Sequence, residues 1–126
     1  MVARGDTFLV PSGPGEYLHL HVICTGPRLI PDMRLLVPVS SIKEGAFHDP
    51  ACVIEAGEHE FITKRSFVAY RHAQERSASK IDACLASGVF VAKPPMTEGL
   101  LARILAGFAQ SDFAAPWALR CLGDER

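Results

Sequence analysis

The sequence predicts a mainly β chain that ends in a helix, arranged as a small barrel or sandwich. Two observations carry this expectation. Short apolar runs with a two-residue phase, separated by Gly and Pro punctuation, fill most of the chain, whereas apolar spacing of three and four residues is confined to its last part. At 126 residues the chain reads as one domain, 1–126, large enough to bury a core without metal or disulfide staples, and no internal repeat or low-complexity tract divides it.

Thr7 to Val10 reads as a short strand, followed by a turn at Pro11-Ser12-Gly13-Pro14-Gly15, residues that fix φ or permit positive φ. The next strand is YLHLHVIC. Leu18, Leu20, Val22 and Cys24 share the phase expected to face the core, and Tyr17, His19, His21 and Ile23 take the other. Gly26-Pro27 ends this strand, and a loop carrying Arg28 runs to Asp32. In MRLLVPVSS, Leu35, Val37 and Val39 continue the apolar phase while Arg34, Leu36, Pro38 and Ser40 oppose it. Pro38 lacks a ladder donor, which predicts an edge strand or a bulge. After a turn at GAFHDPA, the segment CVIEAGEHEFITKRSFVAYRHA offers two or three more strands, broken near Ala56-Gly57 and Thr63-Lys64-Arg65. Ser77 to Leu85 reads as a short helix or turn. Thr97 suits an N-cap, Glu98 follows in the first turn, and Leu100, Leu101, Ile104, Leu105 and Phe108 recur at helical spacing. A one-sided stripe of this kind must pack on the sheet. The tail at Trp117, Leu119 and Leu122 is apolar enough to dock, for instance on a second subunit.

The formal net charge of −1 gives no global bias toward nucleic acid, membrane or acidic ligands, so an anion site must be local. The first residues lack the apolar stretch of a signal peptide, and no run approaches the roughly 20 apolar residues that cross a bilayer. The expectation is a cytoplasmic protein with no membrane partner. Cys24, Cys52, Cys84 and Cys121 lack Cys-x-x-Cys spacing, which argues against a zinc knuckle or a redox pair, and they read as buried free thiols.

His19 and His21 raise the question of function. Alternating histidines on one strand phase are either a solvated or dimer-facing surface or the wall of a site. Two imidazoles about 7 Å apart along a strand suit acid–base chemistry, because imidazole titrates near pH 6.5. A metal set of His19 and His21 with His59 or Glu58 is the weaker alternative, and no cofactor is expected. His48, His59 and His72 read as turn, loop or strand-end residues. Lys64-Arg65 is the only adjacent basic pair, with Arg71, Arg76 and Lys80 following. It is either a solvated turn or a phosphate-contacting rim at which Tyr17 or Tyr70 offers a stacking face.

The order GDTFLVP, a glycine-rich turn, HLHVICT, LLVPVSS, GEHEFITKRSFVAYRHA and an amphipathic helix after SGVFVAKPPMT resembles the MazF/PemK-like growth-inhibitor toxins of bacterial toxin–antitoxin systems. The register covers nearly the whole chain. The resemblance implies an SH3-like barrel with a C-terminal helix, a homodimer, a cognate antitoxin, and metal-independent cleavage of single-stranded RNA. It matches the family's hydroxyl position to Ser40 and Ser41, at the end of LLVPVSS. The family's Arg-Pro run is absent, and Leu-His-Leu-His stands in its place.

RNA cleavage without metal needs a base for the 2′-OH proton, an acid for the leaving 5′-oxygen and cations for the charged phosphorane. On this reading the chain is a candidate endoribonuclease. His19 and His21 form the acid–base pair with Ser40 and Ser41 beside them, and Lys64, Arg65, Arg71 and Tyr17 hold the strand. The alternatives are a non-catalytic barrel that binds a protein target, as gyrase-poison toxins of the CcdB type do on the same barrel, and an interaction module of a mobile element.

Overall fold

The computed structural model describes residues 1–11, 17–27 and 30–123. Seven strands form one antiparallel sheet: β1 (Thr7–Pro11), β2 (Leu18–Ile23), β3 (Met33–Ser41), β4 (Val53–Ile54), β5 (Ser66–Val68), β6 (Gln74–Ser77) and β7 (Val91–Lys93). Three helices accompany them: α1 (Ala78–Ser87), α2 (Glu98–Gln110) and α3 (Pro116–Gly123). The strand path is open, running β4-β5-β3-β2-β1-β7, with β6 also paired to β3. The turn expected at Ser12 to Gly15 and the loop residue Arg28 lie outside the described residues.

The long strand β3 organises the sheet. Along one edge it pairs with β2, Leu20 opposite Val39 and Val22 opposite Val37. Along its other edge it takes β6 against Met33 to Leu36 and β5 against Val39 to Ser41. Between β5 and β6 the chain makes a 3₁₀ turn, Tyr70–His72. That break accounts for Pro38, for which an edge strand or a bulge was expected and which sits in the middle of a strand paired on both sides. The Pro38 carbonyl accepts the Ala69 N–H at 2.9 Å. A residue's N–H and C=O point to the same side of a strand, so the missing Pro38 donor falls where β5 has already ended.

Leu20, Val22, Leu35, Val37 and Val39 enter the expected core, packed with Leu100, Ile104 and Phe108 of α2 and Ala118 and Cys121 of α3. The Thr97 hydroxyl caps α2 by accepting the Leu100 N–H at 3.2 Å. Tyr70 ties the sheet to this helix, its hydroxyl donating to the Ile104 carbonyl at 2.6 Å. Gly107 makes room for that phenol, because a Cβ there would lie 1.8 Å from the Tyr70 oxygen. The tail forms α3 and packs Trp117 and Leu122 against the chain's own core, while Leu119 stays exposed.

Three expectations are corrected. Leu18 is 44 % exposed at the start of β2 rather than in the core. The stretch between β4 and β5, expected to hold strand, is a loop of turns, whereas β6 and β7 were not foreseen. The opposite phase of the central strands is also buried: Phe8, Val10, Ile23 and Leu36 form a second core with Ala78 and Ile81 of α1 and with Phe90. Helices therefore cover both faces, as the near-continuous apolar runs FLV and LLVPV suit. Cys24, Cys52 and Cys121 are buried free thiols, and Cys84 is half-buried. Among the described residues no helix is long and apolar enough to cross a membrane.

Candidate functional site

The second core decides the fate of the histidine pair. His21 is 2 % exposed and lies among those apolar side chains, its ring stacked on Phe8 with centroids 6.4 Å apart. Desolvation by burial lowers its pKa from 6.5 to about 4, outweighing the hydrogen bond to the His19 carbonyl. That carbonyl can only accept, so Nδ1, 3.2 Å away, carries the proton of a neutral ring. The outward wall expected for His21 is thus replaced by interior. His19, two residues nearer the strand start, is half-buried and lines a cleft.

The antiparallel register builds the site around Ser40. Leu20 pairs with Val39, so one step further His19 faces Ser40, and on the other edge Ser40 pairs with Phe67 of β5. His19, Ser40 and Phe67 thereby lie in a row on one face, where directly opposed side chains have Cβ atoms roughly 5 Å apart. Ser41 has the opposite phase. Lys43 and Phe47, from the loop after β3, complete a cleft of about 210 Å³ lined by His19, Ser40, Ser41 and Phe67.

Two further clefts adjoin it through shared walls. One, about 320 Å³, shares Ser40, Phe47 and Phe67 and adds Asp49, Arg71 and His72. The other, about 500 Å³, shares His19, Ser41 and Lys43 and adds Tyr17, Phe61 and Lys64. The two smaller clefts open on the Ser40 face, whereas the largest is lined mainly by the opposite phase, Leu20, Val39 and Ser41. Their linings carry Lys43, Lys64 and Arg71, the imidazoles His19 and His72, several aromatic rings and the carboxylates Asp49 and Glu60.

Of the residues expected from sequence, His19, Ser40 and Ser41 line the smallest cleft, Arg71 joins Ser40 in the second, and Tyr17 and Lys64 join His19 and Ser41 in the largest. Arg65 does not line any of them, and its Nε contacts the Glu55 carboxylate at 3.1 Å. Tyr70 borders the cleft of about 320 Å³ but is 1 % exposed, too buried to offer a stacking face, and burial pushes its phenol pKa up. Arg76 and Lys80 line a separate cleft of about 480 Å³ beside α1, where the Arg76 guanidinium lies over Phe90 at 5.7 Å. His59 is held elsewhere: its Nε2 donates to the Pro94 carbonyl at 2.6 Å and its Nδ1 accepts the Phe61 N–H at 3.0 Å. Among the described residues no three His, Cys, Asp or Glu side chains are grouped to hold a metal ion. Lys43, Phe47, Phe67 and His72 are the site residues that sequence reading missed. The available signals were the two-residue distance of Lys43 from Ser41 and the adjacency of His72 to Arg71.

Fold and clefts define a class: a mainly β domain with an open antiparallel sheet between helices and, at one strand end, clefts lined by aromatic, basic and acidic side chains. No family model, curated protein or solved structure matches the chain.

Proposed function

We propose that the chain is a toxin-like, metal-independent endoribonuclease acting on single-stranded RNA, built on a divergent SH3-like barrel of the MazF/PemK type. The observation that carries this reading is Ser40 as the common wall of two clefts, with His19 on one side and Arg71 and His72 on the other. The antiparallel pairing of the strands and the amphipathic C-terminal helix are what favour the barrel in this reading. A homodimer and a cognate antitoxin belong to the same reading.

Burial removes His21 from the chemistry, and His72 takes its place as the second imidazole. In the reaction one imidazole of the His19/His72 pair accepts the ribose 2′-OH proton as that oxygen attacks the adjacent phosphorus. The other, as imidazolium, donates a proton to the departing 5′-oxygen, leaving a 2′,3′-cyclic phosphate and a free 5′-hydroxyl. The Ser40 hydroxyl donates to a non-bridging phosphate oxygen, and Arg71 and Lys43 offset the charge that develops there. Tyr17 and Lys64 hold the flanking strand.

Purified protein should cleave single-stranded RNA in the presence of a chelator and leave DNA of the same sequence intact, since DNA lacks the 2′-OH. Induced expression in a bacterial host, with growth and RNA integrity followed together, tests the biological side. Growth arrest with intact RNA would replace this reading with the protein-target alternative.

A further inference from the structure

The cleft of about 320 Å³ carries a second feature that the cleavage chemistry leaves unused. Phe47 at its mouth is 58 % exposed, and it meets Phe113, 41 % exposed, edge to face with centroids 4.9 Å apart. The pair is held in position. The Ser111 hydroxyl donates to Asp49 and accepts the Phe113 N–H at 3.0 Å, while Asp49 accepts the Ala51 N–H at 3.0 Å. These bonds tie the loop after β3 to the link between α2 and α3, the two segments that carry Phe47 and Phe113. Phe67 also lines the cleft and packs on His48 with ring centroids 5.7 Å apart.

We infer that this cleft receives one nucleobase of the RNA strand, stacked on Phe47, with the neighbouring phosphate brought to Ser40. The inference rests on the RNA-cleaving reading and adds the element that sets where along the strand the cut falls. Ligand pockets run from roughly 300 to 1,000 Å³, so a cleft of about 320 Å³ has room for one nucleotide-sized group. Its aromatic walls suit a flat π-face, and Arg71 and His72 on its lining with Lys43 in the adjoining cleft suit the phosphates on either side. A protein interface needs roughly 800 Å² from each partner, far more than two phenyl rings bordered by cations supply.

The test uses the full chain and a short RNA made uncleavable by 2′-deoxy substitution at the cut position, with binding read by fluorescence anisotropy. Phe47→Ala should weaken binding roughly 5- to 150-fold, the range of one base–aromatic stack, and Phe47→Trp should preserve it. In a series with a single abasic nucleotide moved along the strand, one position should weaken the parent by a similar factor. At that position the Phe47→Ala variant should show no further loss, because base and ring form one contact. If unmodified RNA binds but every abasic penalty is unchanged in Phe47→Ala, the stacking assignment is wrong while the RNA reading stands. If Phe47→Ala keeps full RNA affinity and instead alters the sedimentation of the protein, the ring pair is a protein interface. Failure of the parent to bind any RNA overturns both.

Discussion

Acidification should unfold this protein through His21 in a way that one substitution removes. In the folded chain burial holds the ring neutral down to about pH 4, whereas an unfolded histidine protonates near 6.5. Between those two values the unfolded state binds a proton that the folded state refuses, so stability rises with pH across this window. The contribution is intact above about pH 6.5, is lost progressively as pH falls toward 4, and changes no further below that. One proton is worth roughly 1.4 kcal/mol per pH unit, which makes the full loss of order 3 kcal/mol, a large part of the roughly 5–15 kcal/mol that holds a domain folded. Asp32, whose pKa is lowered by hydrogen bonds from Ser77 and Ser79, and Glu58, lowered by its bond to Arg103, also lose stabilisation in acid, but at lower pH. His21→Phe isolates the histidine, because a phenyl ring can keep the stack on Phe8 and cannot titrate. Urea unfolding of parent and variant at pH 7.5, 6, 5 and 4 gives the comparison. The parent should lose about 3 kcal/mol more than the variant over that range, even if the variant is less stable at pH 7.5 through its lost hydrogen bond. Parallel pH profiles for the two proteins would refute the burial argument.

Other expectations follow from the same geometry. Gly107→Ala should destabilise by roughly 1–3 kcal/mol despite its better helix propensity, because the new methyl strikes the Tyr70 phenol; Gly99→Ala, where nothing lies within 4 Å, should be neutral or stabilising. Thermal unfolding of the two variants side by side tests this, and equal midpoints would remove the close contact from the account. Val37→Asp should cost several kcal/mol by placing an unpaired carboxylate in the helix-covered core, read as loss of a cooperative unfolding transition. For cleavage, His19→Ala and His72→Ala should each lower the rate about a hundredfold or more. His21→Phe assayed at pH 7.5 should retain the parent's rate, and a loss equal to that of His19→Ala would return His21 to the site.

Much of the architecture was legible in local pattern. The Thr97 cap, the stripe from Leu100 to Phe108, and the shared phase of Leu20, Val22, Leu35, Val37 and Val39 depend on residues a few positions apart, and periodicity reports such relations directly. The hydroxyl of Ser40 and the cations Lys64 and Arg71 were also visible as candidates. What periodicity does not report is what lies over a strand's other face. His19 and His21 have the same phase, yet Phe8 from β1 and the second core built with α1 make one of them interior and leave the other at a cleft. Pro38 is tolerated in a strand paired on both sides because the chain breaks into a 3₁₀ turn opposite it, and Gly107 is needed because a tyrosine 37 positions earlier reaches into α2. His72 shares a cleft with Ser40 only because β5 returns along β3 and then turns. These relations join residues far apart in the chain, and they exist only once the sheet and its covering helices are assembled, since antiparallel register and helix packing determine which distant side chains become neighbours.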